Sequence, residues 1–336
     1  MMDPLIIHTP AGLYCPQADI YIDPIKTVTR ALITHAHSDH AISGHRYYLA
    51  TPLTNAIIKQ RLGNYLQVQD IHWGTSITMN GVRISFHPAG HIAGSSQIRL
   101  EYKGNVWVVT GDYKTEKDQI SGTYELIQCN TLITETTFAL PIYQWKPQHI
   151  IVNEILSWYH ENLGNDRTTV VLAYALGKAQ RVIQNIPIEI PVYTHTTVEE
   201  TNDALRKAGL KLRPTIKISS KTSKKEILQG IVIIPYSVLN TPWLHALHRP
   251  VTATVSGWMA IMGNRKKQTA DRGFALSDHV DWNQVNKVIR DCGAESIGLM
   301  HGYTLALSRW LTNHGKHSFI IPHHLNQDQE VVTEED

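Results

Sequence analysis

Residues 35–40 read His-Ala-His-Ser-Asp-His, which gathers three imidazoles and one carboxylate within six positions. The stretch follows the apolar run 31–33, as expected of a loop that leaves a buried strand. Residues two apart in an extended segment point to the same side, so we expect His35 and His37 to bind one metal ion together. The aspartate and the last histidine of the stretch are expected to face a second ion beside the first. These ligand types suit Zn, Mn or Fe.

Two other interpretations of this stretch are a His-rich surface turn and a structural zinc site. A solvated turn gives no reason for four metal-binding side chains directly after a buried strand. Structural zinc sites are mostly built from Cys, or from Cys and His, and are fully closed. The stretch therefore favours an open, reactive metal site.

Three further side chains that can bind metal stand at the predicted ends of strands, each beside a glycine that lets the backbone approach closely. His91 occurs in Pro-Ala-Gly-His, Asp112 in Thr-Gly-Asp-Tyr, and His301 in Met-His-Gly. Any one of them could be structural, and for a lone histidine that is the more common case. Together with residues 35–40 they predict one site built from distant parts of the chain.

Length and composition limit the class of protein. The chain has 336 residues, enough for two domains or one large one, and its 42% hydrophobic content is typical of a soluble globular protein. The formal net charge of +2 gives no global attraction to nucleic acid, so such a partner depends on local patches. The three cysteines include no CxxC pair, which argues against a disulfide framework. Because neither a signal peptide nor a membrane-spanning run is evident, we expect a cytoplasmic protein without membrane contact.

The first part of the chain is patterned mostly as strands that lead into these side chains. Asn80-Gly81 between alternating apolar residues is a strong hairpin signal, and Thr51-Pro52 has the N-cap and first-turn order of a helix. The elements predicted here are strands at 5–9, 19–22, 30–34 and 131–135, hairpins at 76–86 and 96–110, and a helix at 52–62.

From about residue 147 helices and strands alternate, which predicts a small parallel α/β sheet. The predicted helices are 147–162, 177–185 and 197–208, and the predicted strands are 168–175, 190–193, 231–235 and 251–255. Side chains that could take part in catalysis reappear at Asp278-His279, followed by a predicted helix at 282–291 and a strand at 295–300. The sequence therefore predicts one catalytic domain, split by an inserted α/β domain of about 120 residues.

The order His-x-His-x-Asp-His, then Gly-His, then Gly-Asp resembles the metallo-β-lactamase superfamily. The resemblance implies an α/β fold, the αββα sandwich, in which two sheets pack face to face with helices outside. It also implies two divalent metal ions, Zn or Mn. One ion would be bound by His35, His37 and His91, the other by Asp39, His40 and His301, with Asp112 bridging both. The early aspartate of the superfamily matches Asp23, which would orient ligands by hydrogen bonds; a turn residue before Pro24 is an equal alternative.

Three features resemble the nuclease branch of that superfamily that carries a β-CASP insertion. Glu135 ends a predicted strand in Thr-Glu-Thr-Thr, His279 stands in Leu-Ser-Asp-His-Val-Asp, and His301 stands in Met-His-Gly. The resemblance implies a metallo-β-lactamase domain at 1–140 and 262–325 and a β-CASP domain at 141–261. Residues 326–336 are predicted to form an acidic disordered tail.

A narrower resemblance covers most of the chain. The segments 9–16, 174–181, 255–259 and 271–279 are similar to the bacterial ligase-associated DNA exonuclease family. That family implies DNA as the substrate, as single strands or duplex ends, a role in DNA repair, and an ATP-dependent DNA ligase and a helicase as partners. The family often has Arg where Met262 stands, so a phosphate contact there is either lost or taken over by Arg265, Lys266 or Lys267.

Basic and hydroxyl side chains of the inserted region are candidates for substrate contacts. Gly177 starts a helix directly after a strand, which presents backbone N–H groups to an anion, and Lys178 and Arg181 flank that helix start. An ordinary solvated helix start is the alternative. Ser256 could donate to a phosphate or be a turn residue. The basic stretch 211–225 more often marks a solvated edge than a phosphate track.

The leading prediction is a metal-dependent DNA exonuclease with a two-metal mechanism. His279 is the candidate acid that protonates the departing sugar oxygen, Glu135 would hold its tautomer, and Asp39 is placed with them as a catalytic metal ligand. Three alternatives remain: an RNA-processing endoribonuclease of the same branch, a small-molecule esterase or lactamase of the same fold, and a non-catalytic binding module.

Overall fold

The chain forms two compact units. The computed structural model describes residues 3–261 and 270–322. Of these residues, the first unit contains 3–144 and 279–322, and the second contains 145–261 and 270–278. The acidic stretch 326–336 lies outside the described residues.

The second boundary between the compact units lies at 278/279, beyond residue 261, where the resemblance ends the β-CASP domain; that domain assignment stays a prediction. The reason is a short strand, Arg272–Phe274, which pairs in parallel with Pro250–Val255 and so extends the sheet of the second unit. Its three residues carry no run of apolar side chains that would have marked it as a strand.

Short strands and helices make up both units. The strands are β1 (Ile7–Thr9), β2 (Gly12–Cys15), β3 (Ile20–Ile22), β4 (Arg30–Leu32), β5 (Tyr47–Ala50), β6 (Val68–Asp70), β7 (Ser76–Met79), β8 (Val82–Pro88), β9 (Ser96–Tyr102), β10 (Asn105–Val109), β11 (Thr131–Glu135), β12 (Thr168–Leu172), β13 (Val192–Thr194), β14 (Ile216–Lys217), β15 (Ile231–Ile234), β16 (Pro250–Val255), β17 (Arg272–Phe274), β18 (Ser296–Met300) and β19 (His317–Ile320). The helices are α1 (Pro52–Leu62), α2 (Gln148–Gly164), α3 (Lys178–Asn185), α4 (Thr196–Lys207), α5 (Lys224–Leu228), α6 (Pro242–His245), α7 (Trp282–Asp291) and α8 (Thr304–Asn313).

The first unit contains two sheets. One has the strand order β1-β2-β3-β4-β5-β6 and the other the order β19-β18-β11-β10-β9-β8-β7. In the second of these, β10, β11, β18 and β19 run parallel, so β18 from the end of the chain lies beside β11. This pairing brings the segment after β18 next to the segments that follow β10 and β11.

Buried side chains from both sheets share one hydrophobic core. Ile20, Ile22 and Leu32 of the first sheet belong to the same cluster as Ile84 and Phe86 of the second. A separate core covers the opposite face of the second sheet, where apolar side chains of β10, β11 and β18 pack with those of α7 and α8. Helices α7 and α8 therefore cover the second sheet, and α1 contacts strands β5 and β6 of the first sheet.

Local sequence signals explain several element boundaries. The two-residue turn between β7 and β8 is Asn80-Gly81, with φ of 48° and 83°, the left-handed pair that a tight hairpin requires. Lys103-Gly104 repeats it between β9 and β10, with φ of 50° and 81°. The Thr51 hydroxyl caps α1 by accepting from a backbone N–H in its first turn. Both predicted hairpins and the predicted bounds of α1 are confirmed.

The second unit contains a six-stranded sheet of order β14-β13-β15-β12-β16-β17, in which all pairs are parallel. The central strands β12 and β15 are buried along their whole length, which fits their continuous apolar and β-branched sequences. This architecture confirms the parallel α/β sheet predicted for the region. Across the described residues, every helix is too short or too polar to cross a membrane.

Candidate metal centre and active site

The ends of five strands in the first unit carry the predicted metal ligands and Glu135. The stretch 35–40 follows β4, His91 follows β8, Asp112 follows β10, Glu135 ends β11 and His301 follows β18. Because β10, β11 and β18 are parallel neighbours, their carboxyl ends share one edge of the sheet. The carboxyl ends of parallel strands are a common place for binding sites.

A first group of ring nitrogens gathers around His37. Its Nδ1 lies 3.1 Å from Nε2 of His35 and 3.2 Å from Nε2 of His91. Asp112 Oδ2 lies 3.6 Å from the His35 nitrogen and 3.7 Å from the His91 nitrogen. The four atoms all lie within 4.8 Å of one another, and three nitrogens with one oxygen form a donor set that suits a divalent ion.

A second group lies on the other side of Asp112. Its Oδ1 is 3.6 Å from Nε2 of His40, and His301 completes a set within 4.8 Å. Asp39 Oδ2 lies 3.5 Å from the same His40 nitrogen. The His40 Nε2 is buried and has no hydrogen-bond partner within the described part of the chain. A buried polar atom without a partner is unfavourable, and a bound cation would supply the partner, so the donors fit a metal here.

Asp23 holds two of these histidines. One carboxylate oxygen accepts from the Thr34 backbone N–H at 2.8 Å, and the other accepts from the Thr34 hydroxyl at 2.5 Å. His40 Nδ1 lies 2.8 Å from Asp23, and His35 Nδ1 lies 3.1 Å from the Thr34 hydroxyl. Both rings are thereby oriented with Nε2 toward the two groups of donors, as expected of residues that support metal ligands. Asp23 also has a φ of 41°, in the left-handed region.

The backbone comes unusually close at two positions of the site. Gly111 has a φ of 54°, and a Cβ there would lie 2.7 Å from the Thr34 side chain. Gly302 has a φ of 61°, and a Cβ there would lie 2.5 Å from Thr137 Cα. His301 itself has a φ of 57°, a strained conformation for a residue other than glycine. A side chain at Gly111 or Gly302 would therefore clash with its neighbours, so only glycine fits beside Asp112 and His301.

Charge interactions shift the protonation of these groups. Burial, together with the imidazoles of His40 and His37, keeps the pKa of His35 well below its usual value. Burial also opposes charge on His40, but Asp39 and Asp112 outweigh it and raise the pKa of His40 to about 10. Burial raises the pKa of Asp112 to about 7, against the effect of the His40 imidazole. The raised pKa values favour protons on His40 and Asp112, which a bound metal ion would displace.

Glu135 and His279 form a buried pair beside these donors. His279 Nδ1 lies 3.0 and 2.9 Å from the two carboxylate oxygens of Glu135. The His279 ring packs against the His91 ring with centroids 4.6 Å apart and a tilt of 52° between the ring planes. Asp112, Glu135 and His279 form a third set of atoms within 4.8 Å. The histidine is thereby fixed with one nitrogen on a carboxylate at the edge of the candidate metal centre.

The residues predicted to contact substrate have other contacts in the structure. Lys178 Nζ lies 2.8 Å from Asp278 Oδ2, and Arg181 Nε lies 2.6 Å from Asp278 Oδ1; all three side chains are buried. Ser256 is buried too, and its hydroxyl accepts from the Trp258 backbone N–H at the start of a 3-10 turn. Within the second unit, these three side chains are therefore engaged by neighbouring groups of the chain, and a role in substrate binding stays a prediction.

One predicted phosphate contact, Arg265, lies outside the described residues, as do Lys266 and Lys267.

Four supporting residues were not singled out from the sequence. Thr34 links Asp23 to His35, and the Tyr113 backbone N–H donates to Glu135 at 2.8 Å. The list of these residues is completed by Thr136, whose hydroxyl donates to the His301 carbonyl, and Thr137, whose hydroxyl donates to Glu135. Each is adjacent to a predicted site residue or within two positions of one, which is the signal that could have found them.

Comparisons with known proteins give distant matches. The chain is 26% identical over 313 residues to a protein of Opitutus terrae named Probable DNA ligase; the alignment covers 92% of this chain and 30% of that protein. The chain is also 26% identical over 199 residues to Endoribonuclease YSH1 of Gibberella zeae; this alignment covers 47% of this chain and 23% of that protein. A crystal structure of a protein of unknown function from Enterococcus faecalis V583 is similar with a TM-score of 0.56 at 14% identity, over 88% of this chain and 80% of that one. No protein-family model matches the chain.

These matches support a superfamily and no single family within it. The chain spans less than a third of the length of either relative. The similarity to the structure from Enterococcus faecalis supports a mixed α/β fold. With the motifs, the relatives support the superfamily of metallo-β-lactamase and β-CASP nucleases.

Proposed function

We propose that this chain is a metal-dependent nuclease that hydrolyses phosphodiester bonds of DNA from an end. The observation that carries the proposal is the position of Asp112, whose two oxygens each lie 3.6 Å from a different histidine group. The buried pair of Glu135 and His279 lies directly beside it. A two-metal centre next to a histidine that can give a proton is an arrangement suited to phosphodiester hydrolysis.

The donor set supports two divalent ions, and Zn and Mn both fit its nitrogen and carboxylate ligands. We assign one ion to His35, His37 and His91, the other to Asp39, His40 and His301, and a bridging position to Asp112. When bound, such ions would stabilise charge on the phosphoryl oxygens and lower the pKa of an attacking water.

The chain's own residues then orient groups and move a proton. Asp23 and Thr34 hold His35 and His40 with Nε2 toward the metal positions. His279 is the proposed proton donor: its Nδ1 is held by Glu135, which stabilises the doubly protonated ring, and its Nε2–H gives a proton to the departing sugar oxygen.

Several observations support a nucleic acid over a small ester as the substrate. The second unit adds an α/β sheet that hydrolysis of a small molecule does not need, and we propose that it is the β-CASP domain beside a metallo-β-lactamase domain. Hydrolysis of a lactam likewise has no need of a pair such as Glu135 and His279. These features, and the complete set of ligands, also argue against a non-catalytic binding module.

DNA is favoured because the similarity to the protein named Probable DNA ligase covers 92% of this chain, against 47% for the endoribonuclease. By the same reasoning an ATP-dependent DNA ligase is the proposed partner, and a helicase and a role in DNA repair follow from the resembled family. The alternative substrate is RNA, which the similarity to an endoribonuclease supports. We place the protein in the cytoplasm because its three cysteines are free thiols, as is usual in a reducing compartment.

Gel assays of end-labelled single-stranded DNA and RNA of one sequence, with Mn and with Zn, test the proposal. We expect DNA to be shortened stepwise from one end. Asp112→Asn should abolish cleavage, whereas Asp166→Asn, an exposed aspartate paired with His248, should cleave as the wild type does. Cleavage of RNA alone would favour the endoribonuclease, and no cleavage of either polymer with either metal would refute the proposal.

A further inference from the structure

We propose that Thr137 is a positioning residue whose hydroxyl keeps Glu135 aligned with His279 for proton transfer to the leaving group. The inference rests on the proposed function, in which His279 gives a proton to the departing sugar oxygen. Thr137 has no role in the ligand assignment above, and its side chain is half-buried next to the pair.

Glu135 is held from three directions. Oε1 accepts from the Tyr113 backbone N–H at 2.8 Å, and Oε2 accepts from the Thr137 hydroxyl at 2.5 Å. The side chain is 1% exposed, so water cannot readily replace either donor. Each oxygen thus has one donor besides His279 Nδ1, and together they set the rotation of the carboxylate that faces the ring.

The two donors differ in whether a substitution can remove them. The Tyr113 donor is a backbone group and remains whatever side chain is present. The Thr137 donor is a hydroxyl, and valine has nearly the same shape without it. Thr137→Val should therefore leave the fold intact while freeing Oε2 to rotate away from His279.

The neighbouring threonine serves the other half of the site. The Thr136 hydroxyl donates to the His301 carbonyl, and the Thr136 carbonyl accepts from the Tyr303 backbone N–H at 3.0 Å. Gly302 also packs against the backbone of Thr137, which holds the segment in place. Thr136→Val is therefore a matched control: it removes the same group one residue away, on the side of a metal ligand.

The chemistry of the leaving group separates the two roles. When the bond between phosphorus and the sugar oxygen breaks, that oxygen takes the Nε2 proton of His279. If sulfur replaces this bridging oxygen, it leaves as a thiolate, which is stable enough to need no proton. A substrate with bridging sulfur therefore bypasses His279, and with it any residue that acts through His279.

The test compares DNA oligonucleotides that carry oxygen or sulfur at the bridging 3′ or 5′ position. Thr137→Val should lower kcat on the all-oxygen substrate about 10- to 100-fold, the effect of losing one hydrogen bond to a charged group, with little change in KM. It should leave the rate on the sulfur substrate nearly unchanged, and Thr137→Ser should restore the normal rate. Thr136→Val should slow both substrates equally. An equal loss on both substrates for Thr137→Val, or no loss on either, would overturn the inference.

A second readout needs no turnover. In Zn-loaded protein labelled with ¹⁵N-histidine, the Nδ1–H signal of His279, assigned by its loss in His279→Gln, should exchange with water several-fold faster in Thr137→Val than in wild type. Thr136→Val should leave it unchanged. Unchanged exchange in Thr137→Val refutes the positioning role, whereas a wild type that cleaves no substrate refutes the nuclease proposal instead.

Discussion

Replacement of Asp23 by asparagine is expected to weaken metal binding while the fold is kept. The carboxylate accepts from the Thr34 N–H at 2.8 Å and from the Thr34 hydroxyl at 2.5 Å, and it contacts His40 Nδ1 at 2.8 Å. An amide keeps one acceptor oxygen but presents an NH₂ group, which cannot accept the Nδ1 proton. The variant therefore no longer holds His40 with a free Nε2 toward Asp112.

Changes in residues that orient metal ligands typically lower affinity about 10- to 100-fold, which corresponds to about 1.4–2.8 kcal/mol. That range agrees with about 1.5–3 kcal/mol for a hydrogen bond to a charged group. The loss should fall mainly on the ion beside His40, because His35 reaches Asp23 only through the Thr34 hydroxyl. We thus expect one of two binding steps to weaken and the other to change little.

Titration with Zn against a chelating dye measures this, with Asp19→Asn as the matched control. Asp19 is an exposed aspartate of the same unit that pairs with Arg30 at 2.8 Å, and such surface pairs contribute little. Its variant should bind Zn as the wild type does. If Asp23→Asn and Asp19→Asn bind equally tightly in both steps, the orienting role of Asp23 is wrong.

Three further predictions concern protons and space. The carboxylates around His40 outweigh its burial and raise its pKa to about 10, so metal binding at pH 7.5 should release about one proton from His40. Calorimetry in buffers of different protonation enthalpy measures this release, and a binding heat that does not depend on the buffer would contradict the prediction. Burial lowers the pKa of His45 to about 4, so the metal-free protein should lose stability as pH falls below about 6.5, by about 3 kcal/mol once pH is below 4. In urea unfolding, the stability of His45→Gln should depend less on pH than that of the wild type, and an equal pH dependence of the two proteins would exclude this cause. Gly302→Ala should unfold at clearly lower urea than Gly315→Ala, since both have positive φ but a Cβ meets neighbours only at Gly302; equal midpoints would argue against the close approach.

The parts of the fold that sequence reasoning recovered are those with strong local signals. The turn at Asn80-Gly81 and the cap at Thr51 both act within a few residues, so their hairpin and helix could be predicted. Elements without such signals were missed. β5 has only four residues, and α8 begins at Thr304 after Tyr303, which provides no side-chain cap. Their formation depends on tertiary packing.

The candidate site shows the same division. Side chains that can bind metal at strand ends are visible as residue types, and the structure brings all seven proposed ligands together. The environment of Lys178 and Arg181 is not visible in this way. Their charge and position at a helix start suggested an anion, but a carboxylate distant in sequence, Asp278, neutralises both. Burial and pairing over such separations emerge only from the folded chain.

The most direct test of the central claim is anomalous diffraction from crystals grown with Zn, recorded at the zinc absorption edge. The account predicts two peaks about 3.5–4 Å apart on either side of the Asp112 carboxylate, one among His35, His37 and His91 and the other beside His40 and His301. The absence of zinc at Asp112, or a single ion bound elsewhere on the chain, would contradict it.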